Sequence, residues 1–264
     1  MTQDEKYNKS LRSLIEEQDY LDNVISRISD ESFRILTPAE GWTVQDTIGH
    51  LAYFDGVQKL AIEDREAFKS LFEMFLAATT DPMEVHLERT RREVPSETLI
   101  WWRSSYLELR GAFESLIGNE LLPWFGPEMR AITAVRSRLM ETWAHGVDVL
   151  DALKIPLMFS ERLYDIAYLG VKTRNWSFLV NGESEPESEV YVELNCPDGS
   201  LWQFGEPQET DFIRGSALDF CLLVTQRRNR ADLDIRCVGS TSTRWVEIAQ
   251  AFAGPKGKGR PRLS

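Results

Sequence analysis

Histidine and cysteine are both scarce in this chain, three of each among 264 residues. Cys196, Cys221 and Cys237 are odd in number and far apart, which excludes a zinc ribbon or a CxxC redox pair; they read as buried thiols. No run approaches the roughly eighteen consecutive apolar residues of a membrane span. The opening stretch MTQDEKYNKSLRSLIEEQD is charged where a signal peptide would carry an apolar centre, so a cytoplasmic protein without a membrane partner is expected. Basic residues are in deficit as well. Lys plus Arg number 30 against 42 Asp plus Glu, and the resulting net charge of −12 repels phosphate backbones and argues against nucleic acid as a partner.

What is present describes an ordinary globular chain, 42% hydrophobic and 27% charged, long enough for two moderate domains. Over residues 5–29, Leu11, Leu14, Ile15, Leu21, Ile25 and Ile28 recur at helical intervals. Thr43 followed by Asp46 forms a capping-box variant ahead of a second helix reaching about Leu60. Residues 61–95 are charged and less regular, with a break at Thr80-Asp81-Pro82, and read as a lid or bundle crossover. A third principal helix is expected from a Ser96 cap to Leu116, and a fourth from Pro127 to about Leu153. The pattern predicts an all-α four-helix bundle over residues 1–156.

The second half changes period. Strand-like stretches at 177–180, 190–195 and 201–204, a helix in GSALDFCLLVTQRR, a strand in DLDIRCV and a last helix in TRWVEIAQAFA predict a small α+β domain over 157–253. Residues 254–264, GPKGKGRPRLS, read as a disordered, solvated basic tail.

Function is best sought on the fourth helix. At 100° per residue, Arg138, Glu141, His145 and Asp148 fall within a sector of roughly 80° among apolar neighbours. A divalent metal is one partner that satisfies a carboxylate and an imidazole together; an incidental surface pair is the other reading of Glu-x-x-x-His. Only two other histidines exist. His50 lies on the mostly apolar second helix, where a bundle can bring it opposite Glu141 and His145, and two imidazoles with one carboxylate make a metal site with an open position. His86, in the charged stretch VHLERTRRE, reads as solvent-facing unless a mobile crossover carries it over a pocket. Arg138 either neutralises Glu141 or holds a substrate carboxylate, or else supports a buried ion pair, while Asp148 is placed to orient His145 or a neighbouring helix start. Trp42, Trp101, Trp102, Trp124 and Trp143 read as interhelical filling, with Trp124 the one best placed to line a cleft.

GWTVQDTIGHLAYFD and, far downstream, RSRLMETWAHGVDVLDAL resemble the DinB-like metal-binding bundles and, within them, the mycothiol-dependent maleylpyruvate isomerase group. The resemblance implies His50, Glu141 and His145 as ligands of a divalent metal, zinc first and nickel or iron as alternatives. LGVKTRNWSFLVNG, VYVELNCPDGSLWQFG and RGSALDFCLLVTQRRNRADLD are similar to the C-terminal part of an actinobacterial branch of that superfamily. In that group a basic residue of the appended domain reaches the cleft, and Arg214, Arg227 and Arg228 are the candidates here.

A His₂Glu metal keeps positive charge, so it either binds a thiol as thiolate or lowers the pKa of water. On the first reading, a low-molecular-weight thiol, mycothiol by resemblance, attacks a small electrophilic substrate and yields transfer or isomerisation. Arg138, Arg227 and Arg228 then hold the substrate, and Trp124 and Arg214 border the thiol. The second reading is a hydrolase or lyase using metal-bound water; the third is a non-catalytic metal- or ligand-binding stress protein with a coordinatively closed site. A monomer or homodimer is expected.

Overall fold

The computed structural model describes residues 2–78 and 82–263, the stretch 82–85 by its backbone alone. The chain divides into two compact units, Met1–Leu157 and Met158–Ser264. The first is an all-α bundle and the second a smaller mixed α/β unit. Among the described residues no helix is long and apolar enough to cross a membrane.

Four long helices build the bundle: α1 (Gln3–Ile25), α2 (Val44–Glu63), α5 (Pro95–Glu114) and α6 (Ala131–Leu153), with α3 (Arg65–Ala77) and α4 (Pro82–Arg92) on the crossover between α2 and α5. α2 packs on α5 and α6, and α1 packs on α6. Leu21, Ile25, Ile48, Leu51, Trp102, Tyr106 and Val149 meet in one fully enclosed cluster. The start of α2 is set by the Thr43/Asp46 pair: Thr43 N donates to Asp46 Oδ2 (2.9 Å) and Asp46 N to Thr43 Oγ1 (3.1 Å). The expected break at Thr80 and Asp81 lies outside the described residues.

Two helix starts differ from expectation. α5 is capped at Val94 with Pro95 in its first position, rather than by Ser96. Pro127 sits in a turn between β1 (Leu121–Leu122) and β2 (Met129–Arg130), and α6 begins only at Ala131. A proline lacks the N–H that neither a first helical turn nor a tight connection needs, so the residue alone does not distinguish them.

The second unit holds α7 (Leu163–Lys172), α8 (Arg174–Val180), β3 (Tyr191–Asn195), β4 (Leu201–Phe204), β5 (Phe212–Ser216), α9 (Ala217–Val224), β6 (Ile235–Val238) and α10 (Ser240–Ile248). The sheet order is β4-β3-β5-β6, with β3 parallel to β5 and the other pairs antiparallel. Residues 177–180, expected as a strand, are the end of α8, because a short apolar run has no period that separates helix from strand. Central strand β5 has no counterpart in the sequence reading.

The basic tail makes backbone hydrogen bonds within the second unit. Gly257 N donates to Gln250 Oε1 (2.9 Å), Asn229 Nδ2 to the Arg260 carbonyl (2.9 Å) and Leu263 N to Asp232 Oδ2 (2.8 Å), so its backbone is bound along the second unit. Composition reports the charge of such a segment but not the partners of its peptide groups.

Candidate metal centre

α2 and α6 carry the chemistry, and their packing brings three side chains together. Ligand atoms of His50, Glu141 and His145 lie within 4.8 Å of one another. Both histidines are buried and Glu141 is partly open to solvent. His145 Nε2 stands 3.4 Å from Glu141 Oε2. Two donors each about 2.1 Å from a tetrahedral ion are separated by roughly this distance, so His145 and Glu141 are spaced for a divalent cation, and His50 completes a donor set of suitable chemistry. Three protein donors also leave a coordination position for an exogenous ligand.

Further side chains surround the two imidazoles. Asp148, fully buried one turn beyond His145, places Oδ2 3.6 Å from His145 Nδ1. Trp42 stacks on His145, with centroids 5.8 Å apart and planes 15° from parallel, and its ring also meets His50 at 4.9 Å. Phe54 touches the other side of His50 at 4.8 Å. His86, expected in solvent, is 2% exposed, and its Nε2 lies 3.3 Å from His50 Nδ1.

Arg138 is not aimed at a ligand. It is 2% exposed, and its Nε and Nη2 lie 3.0 and 2.9 Å from Oδ1 of the fully buried Asp55. Of the alternatives read from sequence, the buried ion pair describes its placement. Burial pushes the Asp55 carboxyl up from the usual carboxylate range, against the downward pull of Arg138. Much of the pair's attraction is thus offset by its own desolvation.

Trp124 packs parallel to Phe68 of α3 at 6.0 Å and edge-on to Phe125. It is Phe125 that continues to Phe54, at 6.3 Å, and so towards His50. In the second unit Arg214 is held by Glu209, with contacts of 2.6 and 3.1 Å, and by Glu193 at 3.2 Å. Arg227 donates to the Thr225 carbonyl and Arg228 to that of Arg227, both at 2.8 Å. Arg228 also lines a cleft of about 420 Å³ with Arg230, Arg244, Lys256, Lys258 and Arg260.

Trp42 over the imidazoles, His86 against His50 and Asp55 under Arg138 escaped the sequence reading. Trp42 precedes α2, so helical spacing says nothing of it. For His86 a weak signal existed: His86, Leu87 and Thr90 stand at i, i+1 and i+4, and all three are buried on one face of an otherwise charged helix.

Residues 14–150 match the family described as the mycothiol maleylpyruvate isomerase N-terminal domain. Two uncharacterized proteins from two strains of Mycobacterium tuberculosis are each 40% identical over 244 residues, covering 92% of this chain and 95% of theirs. The crystal structure of the mycothiol-dependent maleylpyruvate isomerase is similar in fold at 17% identity, TM-score 0.54, covering 86% of this chain and 92% of that one. A histidine-to-alanine mutant of that isomerase gives a TM-score of 0.58 at 16% identity over the whole of both chains.

Proposed function

We propose that this chain, which belongs to the mycothiol maleylpyruvate isomerase N-terminal domain family, is a metal-dependent enzyme that uses a low-molecular-weight thiol such as mycothiol on a small electrophilic substrate, by transfer or isomerisation. The observation that carries this reading is the convergence of His50 from α2 with Glu141 and His145 from α6, their donor atoms within 4.8 Å. Zinc is the first choice of ion for two nitrogens and one oxygen, with nickel or iron(II) as alternatives. The ion would supply positive charge that favours the thiolate over the thiol at neutral pH.

The chain's own residues do the rest. His50, Glu141 and His145 hold the ion, Asp148 steadies His145, and Trp42 shields both imidazoles from water on one side. The Asp55–Arg138 pair ties α2 to α6, which keeps donors from two helices in register. Trp124 and its turn are assigned to one wall of the thiol site.

Metal analysis of the purified protein and of His145→Ala tests the triad: near-stoichiometric metal in the first and its loss in the second are expected, and equal occupancy would sink the assignment. Mycothiol added to the cobalt-substituted protein should produce a sulfur-to-metal charge-transfer band. A spectrum unchanged at saturating thiol would redirect the reading to metal-bound water or to a structural ion.

A further inference from the structure

We propose that His86 is a positioning residue for the candidate metal centre: its Nε2 accepts the Nδ1–H of His50, which leaves the Nε2 lone pair of His50 for the ion. This rests on the metal-dependent reading above and adds to it a residue from outside the triad.

The starting observation is the 3.3 Å separation of His50 Nδ1 and His86 Nε2, with both rings buried. A neutral imidazole has one N–H and one acceptor nitrogen, so the nitrogen that donates determines which one remains to bind a cation. His145 also presents its Nδ1 to a neighbouring side chain, at the longer distance of 3.6 Å. Its Nδ1 faces Asp148 and its Nε2 faces Glu141. Each imidazole of the triad thus presents its Nδ1 to a neighbour, His50 to a third imidazole at 3.3 Å and His145 to a carboxylate at 3.6 Å, and on this proposal the Nε2 of each serves the ion.

His86 is held where it is by an elaborate fastening of α4 to α2. Gln45 Nε2 lies 2.9 Å from the carbonyls of Thr90 and Glu93 and 3.1 Å from Thr98 Oγ1. Arg91 Nε meets Asp46 Oδ1 at 3.1 Å. Thr90 Oγ1 donates to the His86 carbonyl at 2.9 Å, and Thr90 rests directly on Gly49, where a Cβ would come 2.1 Å from its hydroxyl. Gln45, Asp46 and Gly49 all lie within about one and a half turns of His50. The ring plane is set from the other side by Tyr53, stacked on His86 at 5.0 Å and 16°. A glycine immediately before a candidate ligand thus permits the close approach that delivers His86 to it.

Two measurements on the full chain test this. Long-range proton–nitrogen NMR of the metal-free protein has only three imidazoles to resolve, and His50 is expected to carry its proton on Nδ1; a proton on His50 Nε2 would overturn the proposal without recourse to any variant. Cobalt(II) titration then compares wild type with His86→Phe, which keeps a ring against Tyr53 but cannot accept, and with His86→Gln, which restores an acceptor. The expected result is a dissociation constant roughly 10–100-fold higher in the phenylalanine variant, with shifted visible bands, and substantial recovery in the glutamine variant. Gly49→Ala should weaken cobalt binding in the wild-type background and add little to His86→Phe, since both act through one contact. Wild-type affinity and bands in His86→Phe would overturn the role of His86 while leaving the triad standing. A wild-type protein that binds no cobalt would instead bring down the metal reading, and this proposal with it.

Discussion

The indole of Trp42 lies nearly parallel to the imidazole of His145, 5.8 Å away, while it meets His50 at 51°. One ring from outside α2 thus restrains candidate ligands on two different helices. Aromatic pairs of this kind contribute about 0.5–1.5 kcal/mol beyond their burial. Trp42→Ala should therefore raise the metal dissociation constant roughly two- to twelvefold, whereas Trp124→Ala, which removes a ring packed on Phe68, should change it little. Competition with a chromogenic chelator measures both.

Asp148 faces His145 from the side away from Glu141. Its replacement by Asn keeps the volume and removes the charge that favours a proton on Nδ1. Metal affinity is expected to fall about 10–100-fold, with the helical circular dichroism signal unchanged. Wild-type affinity in Asp148→Asn would limit Asp148 to a packing role.

Asp55 and Arg138 lie at the interface of α2 and α6 with almost no exposure. Removing either partner strands the other charge, and Asp55→Ala or Arg138→Ala should each cost about 3–5 kcal/mol in urea unfolding. Replacing both with apolar residues should recover much of that loss, since the pair's desolvation cost disappears with it.

Burial pushes the Cys221 and Cys196 thiols up from the ordinary range. A thiol pKa raised in the folded state means that the unfolded chain binds fewer protons once pH passes the usual thiol value of about 8.5, so these groups lower stability as pH rises beyond it. At pH 8 a chromogenic disulfide reagent should leave Cys221 unmodified in the native protein and react fully in denaturant. Rapid modification of native Cys221 would contradict its burial.

The parts of this molecule that could be read from sequence are those where local chemistry admits one solution. Thr43 and Asp46 specify the start of α2 because each satisfies the other's backbone N–H. Glu141 and His145 share a face because they are four residues apart, and with so few histidines the third donor had few candidates. Strand β5 was missed because Phe212 and Ile213 are followed by Arg-Gly-Ser, which reads as the approach to α9, and Ser216 does cap that helix. Its strand character comes from β3 and β6 on either side, a tertiary effect that outweighs weak local preference. The burial of His86 is of the same kind, depending on α4 folding back along α2.

An ion bound by one donor from α2 and two from α6 would also act as a removable cross-link between helices that the chain itself joins only through a long detour. At a free metal concentration about a hundredfold above the dissociation constant, such a link adds about 2.7 kcal/mol to the stability of the first unit. Removal of such an ion would then loosen the unit itself and make it a better substrate for proteolysis.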